Sequence, residues 1–102
     1  MNRKQLAIDF AKSLDALKIE KIILFGSVVR DEDKKDSDID ILIIAKDKAM
    51  IEDQIYDKAF DIFLEKNEDI SVKIFSLEDY KYNENTKFIN NVEKEGILIG
   101  GT

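Results

Sequence analysis

Apolar side chains recur at helical spacing in two segments of this chain, Arg3 to Lys18 and Asp47 to Lys66. In each segment apolar positions recur three or four residues apart: Leu6, Phe10, Leu14 and Leu17 in the first, and Ile51, Ile55, Ala59 and Ile62 in the second, where Phe63 also lies four residues after Ala59. Residues at this spacing lie on one face of a helix. The pattern therefore predicts two amphipathic helices that pack on a sheet.

Short runs rich in isoleucine and other apolar residues lie between the predicted helices and predict the strands of that sheet. The runs are Ile19 to Phe25, Ile39 to Ile44, Ser71 to Ser76 and the short final segment Ile97 to Ile99. A helix as long as 47–66 is expected to form a right-handed crossover that joins two strands of one sheet.

The segment from Leu77 to Lys94 predicts a third helix with apolar contacts at Tyr80, Phe88, Ile89 and Val92, although residues 82–85 could break it. Together these elements predict an α/β (α+β) fold, with a small mixed β-sheet of about four strands and helices packed on it. A chain of 102 residues is large enough for one hydrophobic core but not for two. We therefore expect a single domain over residues 1–102.

Two aspartates, Asp38 and Asp40, lie at the start of the strand predicted at 39–44. Side chains alternate between the faces of a strand, so both carboxylates project one way while Ile39, Ile41 and Ile43 project the other. Paired carboxylates repel each other and resist desolvation unless a divalent cation lies between them, and Mg²⁺ accepts one or two carboxylates together with water and phosphate oxygens. The spacing predicts a metal site at this pair. The alternative is a capping and a strand-edge aspartate without a metal.

Gly26 and Ser27 follow the first predicted strand. Glycine permits a sharp turn and close approach of a ligand, and Ser27 can begin a helical turn through Val28, Val29 and Arg30. Free N–H groups at such a turn attract anions. The combination predicts a triphosphate on the Gly-Ser turn and a metal on the aspartate pair.

The composition narrows the chemistry further. Sixteen basic and 22 acidic residues give a net charge of −6, so we expect no direct nucleic-acid binding, and a basic partner fits better. The sequence has no cysteine and no histidine, which leaves carboxylates as the ligands for a hard metal. It shows neither a signal peptide nor a long apolar run, so we expect a cytoplasmic protein without a membrane partner.

Gly26-Ser27, Arg30 and Ser37-Asp38-Ile39-Asp40, followed by an apolar strand, resemble the signature of the polymerase-β-like nucleotidyltransferase superfamily. The short chain is most similar to its minimal nucleotidyltransferase (MNT) group, many of which are antitoxins paired with a HEPN-domain RNase toxin. Two residues around the arginine depart from the usual pattern, because Val29 and Asp31 stand where minimal members carry a small residue and a glycine. Asp31 adds negative charge near the proposed phosphate site.

The resemblance implies a Mg²⁺-dependent transfer, with Mn²⁺ as a possible substitute, of AMP from ATP or of another nucleotide to a hydroxyl, expected to be a tyrosine of the HEPN toxin. Asp38 and Asp40 would be the catalytic residues and metal ligands, and Gly26, Ser27, Arg30 and Ser37 would bind the nucleotide. Active members carry a third acid on a later strand. Here that position falls on Lys73. The nearest acid whose side chain would lie on the same face of the strand is Asp69.

Several alternatives stay open from the sequence. The antitoxin could transfer AMP, or it could be a catalytically degenerate antitoxin or nucleotide-binding module that acts by protein-protein binding; a homo-oligomer is also possible. The acidic loop 31–36 reads as solvated surface, or Lys34 or Lys35 could reach the triphosphate. Tyr80 and Tyr82 could pack in the core, stack on a base or contact a partner.

Overall fold

The computed structural model describes residues 2–101. Within that range the chain forms four helices and four strands. In chain order they are α1 (Arg3–Lys12), β1 (Lys21–Phe25), β2 (Ile39–Ala45), α2 (Lys48–Lys66), β3 (Ile70–Ser76), α3 (Leu77–Asn83), α4 (Lys87–Glu95) and β4 (Ile97–Gly100). The strands form one sheet in the order β3-β2-β1-β4. The predicted fold class, a mixed four-stranded sheet with helices packed on it, is confirmed.

The sheet combines two antiparallel pairs with one parallel pair. β1 is antiparallel to both β2 and β4, whereas β2 and β3 run parallel. α2 connects the parallel strands, because a chain that returns to start a parallel neighbour must cross the length of the sheet. The crossover predicted from the length of this segment is therefore present.

The two faces of the sheet carry different helices. On one face α1 and α2 cover Ile39, Ile41 and Ile43 of β2 in the larger hydrophobic cluster. On the other face α3 and α4 cover a smaller cluster that includes Leu42 and Ile44. The alternation along β2 agrees with the prediction, since Asp40 shares its parity with Leu42 and Ile44.

Two predicted helices end earlier than their hydrophobic spacing suggests. α1 ends at Lys12 rather than Lys18, because residues 13–17 form hydrogen-bonded turns in which the Leu14 N–H donates to the Ala11 carbonyl at 3.0 Å. These turns still bury Leu14. The segment 77–94 is divided into α3 and α4, so the break considered at residues 82–85 is the correct interpretation.

The remaining boundaries lie close to the predictions. α2 begins after Asp47 and ends where Asn67 takes a left-handed conformation, with φ of 54°. The final apolar segment is a short edge strand, as expected. None of the helices in residues 2–101 is long and apolar enough to cross a membrane.

Candidate functional site

The aspartate pair lies at the N-terminal end of β2, where that strand emerges from the sheet. Every residue of β2 except Asp40 is buried, and Asp40 is half-buried. Burial raises the pKa of Asp40, and the negative charge of Asp38 raises it further, whereas Lys73 and Arg30 act in the opposite direction. The two carboxylates are therefore close enough to repel each other, as predicted from their spacing.

Gly26 lies directly against Asp40. The register of the antiparallel pair places Phe25 opposite Asp40, so the next residue of the turn passes over the carboxylate. Gly26 has φ of +82°, and a Cβ at this position would overlap Oδ2 of Asp40 and lie 3.1 Å from its Cγ. A side chain is excluded here by the backbone conformation and by the carboxylate, so glycine is required for both reasons.

The turn after Gly26 presents backbone donors. The Arg30 N–H donates to the Gly26 carbonyl at 3.3 Å, which closes a single helical turn. In residues 2–101, the N–H groups of Ser27, Val28 and Val29 have no backbone acceptor. Val28 itself is buried in the larger cluster, which fixes the turn on the sheet. The turn can therefore offer N–H groups to an anion, and the binding of a triphosphate there stays a prediction.

Arg30 is held by two glutamates. Its Nε donates to Glu32 Oε1 at 2.7 Å, and its Nη1 donates to Glu95 Oε2 at 3.3 Å. The second contact joins the turn to the end of α4. A phosphate that recruits Arg30 must compete with both carboxylates, so the arginine is placed beside the turn but is already paired.

Ser37, which precedes Asp38, closes the turn that leads to this aspartate through two hydrogen bonds with the Lys34 backbone. Its hydroxyl accepts the Lys34 N–H at 2.8 Å, and its own N–H donates to the Lys34 carbonyl at 3.0 Å. The closed turn lies at a cavity of about 470 Å³. The cavity is lined by Arg3, Lys35, Asp36, Ser37, Asp38, Asn67, Glu68 and Asp69. Gly26, Ser27 and Arg30 lie outside this lining, so the cavity does not join all the predicted site residues.

Arg3 is a structural residue of the site that the sequence did not reveal. Its guanidinium donates to Glu68 Oε2 at 2.9 Å and to Asp33 Oδ2 at 3.1 Å. It also donates to the carbonyls of Lys34 and Lys35. Arg3 thereby ties the acidic loop to the turn before β3. A lone arginine at the start of a helix carries no sequence signal for contacts 30 or more residues away.

A sequence model described as polymerase beta, nucleotidyltransferase matches residues 7–102, nearly the whole chain. This chain belongs to that nucleotidyltransferase family. Members of the family generally use a nucleoside triphosphate and a divalent metal. Among curated proteins, none matches the chain significantly.

Solved structures share the nucleotidyltransferase fold over most of their length. A crystal structure of a toxin-antitoxin with AMP-PNP is similar at 23% identity and a TM-score of 0.61, covering 100% of this chain and 75% of that one. A crystal structure of a mutant of the toxin-antitoxin MntA-HpeT is similar at 21% identity and a TM-score of 0.63, and it also covers 100% of this chain and 75% of that one. A nucleotidyltransferase structure from Sulfolobus solfataricus matches at 26% identity and 0.54, covering 92% and 76%. These likenesses agree with the family assignment and show the fold.

Lys73 lies on the same face of the sheet as Asp40, the face on which the sequence resemblance places a third acid. The parallel register pairs Asp40 with Ser71 and Leu42 with Lys73, which places both β3 residues on the Asp40 face. The Lys73 ammonium lies 5.5 Å from the centroid of the Phe88 ring. Asp69 precedes Ile70, the partner of Ile39, so it lies beside Asp38. No three acidic side chains within residues 2–101 converge into a group that could hold a metal.

The carboxylate pair nevertheless suits a divalent metal that shares its coordination with a nucleotide. Oxygen ligands are the ones that Mg²⁺ prefers, and it retains several waters or phosphate oxygens when a protein supplies only one or two carboxylates. The repulsion that raises the pKa of Asp40 is the interaction that a cation between the two groups would relieve. The donor set thus fits a metal bound together with a triphosphate rather than one held by protein alone.

Proposed function

We propose that this chain is an antitoxin of a toxin-antitoxin pair and that it transfers AMP from ATP to a hydroxyl of its HEPN-type RNase toxin, with Mg²⁺ as the metal. The observation that carries the proposal is the packing of Gly26 against Asp40, the second aspartate of the pair, with backbone N–H groups of the same turn left without a backbone acceptor. Similarity to toxin-antitoxin structures, one of them with AMP-PNP, supports a toxin partner and a nucleotide. All of residues 1–102 would act as one MNT domain.

Each site residue has a separate role in this mechanism. Asp38 and Asp40 would hold the metal, which would neutralise charge on the phosphates. The N–H groups of Ser27 and its neighbours hold the β and γ phosphates, and Gly26 allows the phosphates to approach. Arg30 exchanges a glutamate for the pyrophosphate, and Ser37 fixes the loop that leads to Asp38.

The transfer balances as a displacement at phosphorus. The acceptor hydroxyl oxygen forms a bond to the α-phosphorus, the bond from that phosphorus to the bridging oxygen of the β-phosphate breaks, and pyrophosphate leaves. The hydroxyl proton passes to Asp40 or to water, because Lys73 stands where a third carboxylate would otherwise accept it. Positioning and charge neutralisation supply most of the catalysis in such reactions.

The direct test incubates the full chain with α-labelled ATP, Mg²⁺ and a lysate of its host, beside Asp38→Ala and Asp40→Ala. We expect label on one host protein with the wild type and none with either variant. Label that persists in both variants would overturn the mechanism, since the aspartate pair would then be dispensable.

A second function is favoured by one observation, the lysine at position 73. With a cation rather than an acid on the Asp40 face, the chain would be a catalytically degenerate antitoxin that binds its toxin, or a nucleotide-binding module, without transfer. A stable complex with the toxin and no transfer of label would decide for this function.

Replacing Lys73 by aspartate tests whether position 73 belongs to the metal site. Lys73→Asp would add a third carboxylate on the Asp40 face, and we expect Mg²⁺ to bind about tenfold more tightly or better, because metal affinity rises with the number of charged ligands. Lys12→Asp is the matched control, since it makes the same charge change at the exposed end of α1. Equal Mg²⁺ titrations of the two variants by calorimetry would show that position 73 has no part in the site.

A further inference from the structure

Helix α2 carries a second apolar face that no other part of residues 2–101 covers. The buried face consists of Ile51, Ile55 and Ala59, which are at most 8% exposed. Four large side chains on the adjoining face are exposed: Tyr56 by 46%, Phe60 by 58%, Phe63 by 42% and Leu64 by 64%. Single exposed apolar residues are ordinary, but a contiguous group is typical of an interaction surface. We refer to these four residues as the α2 aromatic stripe.

The α2 aromatic stripe borders a groove that could receive a side chain from another molecule. The groove has a volume of about 340 Å³ and is lined by Tyr56, Ala59, Phe60, Phe63, Asp69 and Ile70. The rings of Phe60 and Phe63 stack with centroids 6.4 Å apart, which forms one apolar wall. The groove lies beside β3, an edge strand of the sheet. Its shape suits a protruding apolar side chain.

The charges around the stripe are acidic. Asp53 and Asp57 are exposed and precede Tyr56 and Phe60 by three residues each, so they lie next to these rings on the helix surface. Asp69 adds a third carboxylate at the groove. Lys58 and Lys66, the basic residues of this part of α2, instead line the depression between α2 and α1. The surface therefore has an apolar centre and an acidic rim.

We propose that the α2 aromatic stripe docks a partner protein whose contact surface has an apolar side chain at its centre and lysines or arginines around it. Complementary charges select such a partner and disfavour others. A second copy of this chain would bring Asp53, Asp57 and Asp69 against the same carboxylates, at a cost for like charges. The acidic rim and the net charge of −6 also oppose nucleic acids and anionic membranes.

The α2 aromatic stripe lies on the opposite face of the sheet from Asp40, although Asp69 lines both the groove and the cavity at Asp38. α2 packs on the face of the sheet that carries Ile39, Ile41 and Ile43, whereas Asp40 shares the opposite face with Leu42 and Ile44. A partner on the stripe thus leaves the Asp40 face open. The docking proposal goes beyond the proposed transfer of AMP and does not require that transfer to occur.

The test places the photocrosslinker p-benzoylphenylalanine at position 60 of the full chain in host cells. Position 82 is the matched control, because Tyr82 is an aromatic residue that is 89% exposed and lies on α3. We expect an adduct from position 60 alone, with a crosslinked partner peptide that contains an apolar residue flanked by lysines or arginines. No adduct, an equal adduct at 82, an adduct with a second copy, or a peptide without basic residues would each overturn the proposal.

Two variants then separate the apolar centre from the acidic rim. Phe60→Ser with Leu64→Ser should weaken the purified complex about tenfold or more, as loss of central aromatic contacts does at other interfaces. Tyr82→Ser is its control. Asp53→Lys with Asp57→Lys should weaken binding at low salt and less at high salt. Equal affinity of all four proteins would contradict the proposal.

Asp40→Ala distinguishes this inference from the proposed function. We expect crosslinking at position 60 to persist in Asp40→Ala while any transfer of label is lost. Transfer that fails in the wild type while crosslinking succeeds would remove the proposed chemistry alone. Transfer that succeeds in the wild type while crosslinking at position 60 fails would rule out the docking surface alone.

Discussion

The two faces of the sheet differ in how completely they are covered. Among the residues that the structure describes, the face beneath α1 and α2 contributes to a cluster of eighteen buried hydrophobic side chains, and the face beneath α3 and α4 to a cluster of five. α3 contributes no buried residue. The better covered face supplies most of the apolar burial that stabilises the fold.

The less covered face is the one that carries the charged groups of the candidate site. Asp40 and Lys73 lie on it, and they remain partly hydrated because the short helices α3 and α4 leave its edge open. A charged group on the opposite face would lose its water without compensation. The difference therefore separates stability and chemistry between the two sides of β2, a strand that serves both.

The largest expected effect is loss of stability from a cavity on the better covered face. Ile55→Ala removes a fully buried side chain of α2 and should lower the free energy of unfolding by about 2 to 5 kcal/mol. Ile89→Ala, also fully buried but on α4, is the matched variant. We expect a cost nearer to about 2 kcal/mol there, because a smaller cluster can collapse around the gap. Urea denaturation measures both, and a larger loss for Ile89→Ala would reverse the comparison.

The next largest effect is expected at Gly26, where the turn meets the carboxylate. Gly26→Ala would force a side chain into a left-handed conformation, at a cost of about 1 to 2 kcal/mol. It would also push Asp40 from its position, because the new Cβ overlaps Oδ2. Unfolding in urea and calorimetric titration with ATP and Mg²⁺ should both show the loss.

A double variant separates these two causes. Asp40→Ala removes the carboxylate oxygens that the new Cβ would overlap, so Gly26→Ala should cost less in that background than in the wild type. The backbone cost alone should remain. Strictly additive losses would show that Gly26 and Asp40 do not contact each other in solution.

A smaller effect is expected from the charge of Asp40. Because burial and Asp38 raise the pKa of Asp40 in the folded protein, its contribution to stability is fully present below the unfolded pKa and is lost as the pH rises through the folded pKa. Asp40→Asn should therefore unfold at a higher temperature than the wild type at pH 7. The gain should shrink on acidification.

The pKa of Asp79 is shifted in the opposite direction, so stability should depend on pH in the opposite sense there, and Asp79 serves as the control. Its hydrogen bonds with Ser76, which close the start of α3, lower the pKa of Asp79. Its contribution is present above the unfolded pKa and is lost as the pH falls through the folded pKa. Asp79→Asn should destabilise at pH 7 and approach the wild type in acid. Melting curves with the same sign for both variants would contradict the assignments.

Much of the architecture could be predicted because it depends on local patterns. The alternation around Asp40 fixes which side chains of β2 share a face, and glycine before Ser27 marks the turn that β1 enters. The end of α1 could not be predicted, because hydrogen-bonded turns bury Leu14 as well as a helix would. The contacts of Arg3 with Asp33 and Glu68 depend on tertiary structure, which spacing along the chain does not encode.

The smallest expected effect concerns Asp31, which directly follows Arg30 at the end of the Gly26 turn. Asp31 adopts φ of 57°, a conformation that costs an L-residue about 1 to 2 kcal/mol and costs aspartate less than most. Asp31→Gly relieves that strain but loses the exposed contact with Lys4 at 3.2 Å, which contributes at most about 1 kcal/mol. Glycine also leaves the unfolded chain more freedom, so the free energy of unfolding should change by less than about 1 kcal/mol.

Nucleotide binding should respond more clearly to this variant than stability does. Asp31 ends the turn that begins at Gly26, and removing its negative charge should favour a triphosphate there. Asp31→Asn is the control, because it removes the charge and keeps a side chain in the left-handed conformation. If charge is the cause, both variants should bind ATP and Mg²⁺ more tightly than the wild type does. The difference in affinity between each variant and the wild type should then become smaller at high salt. Tighter binding by Asp31→Gly alone would instead assign the effect to the backbone of the turn.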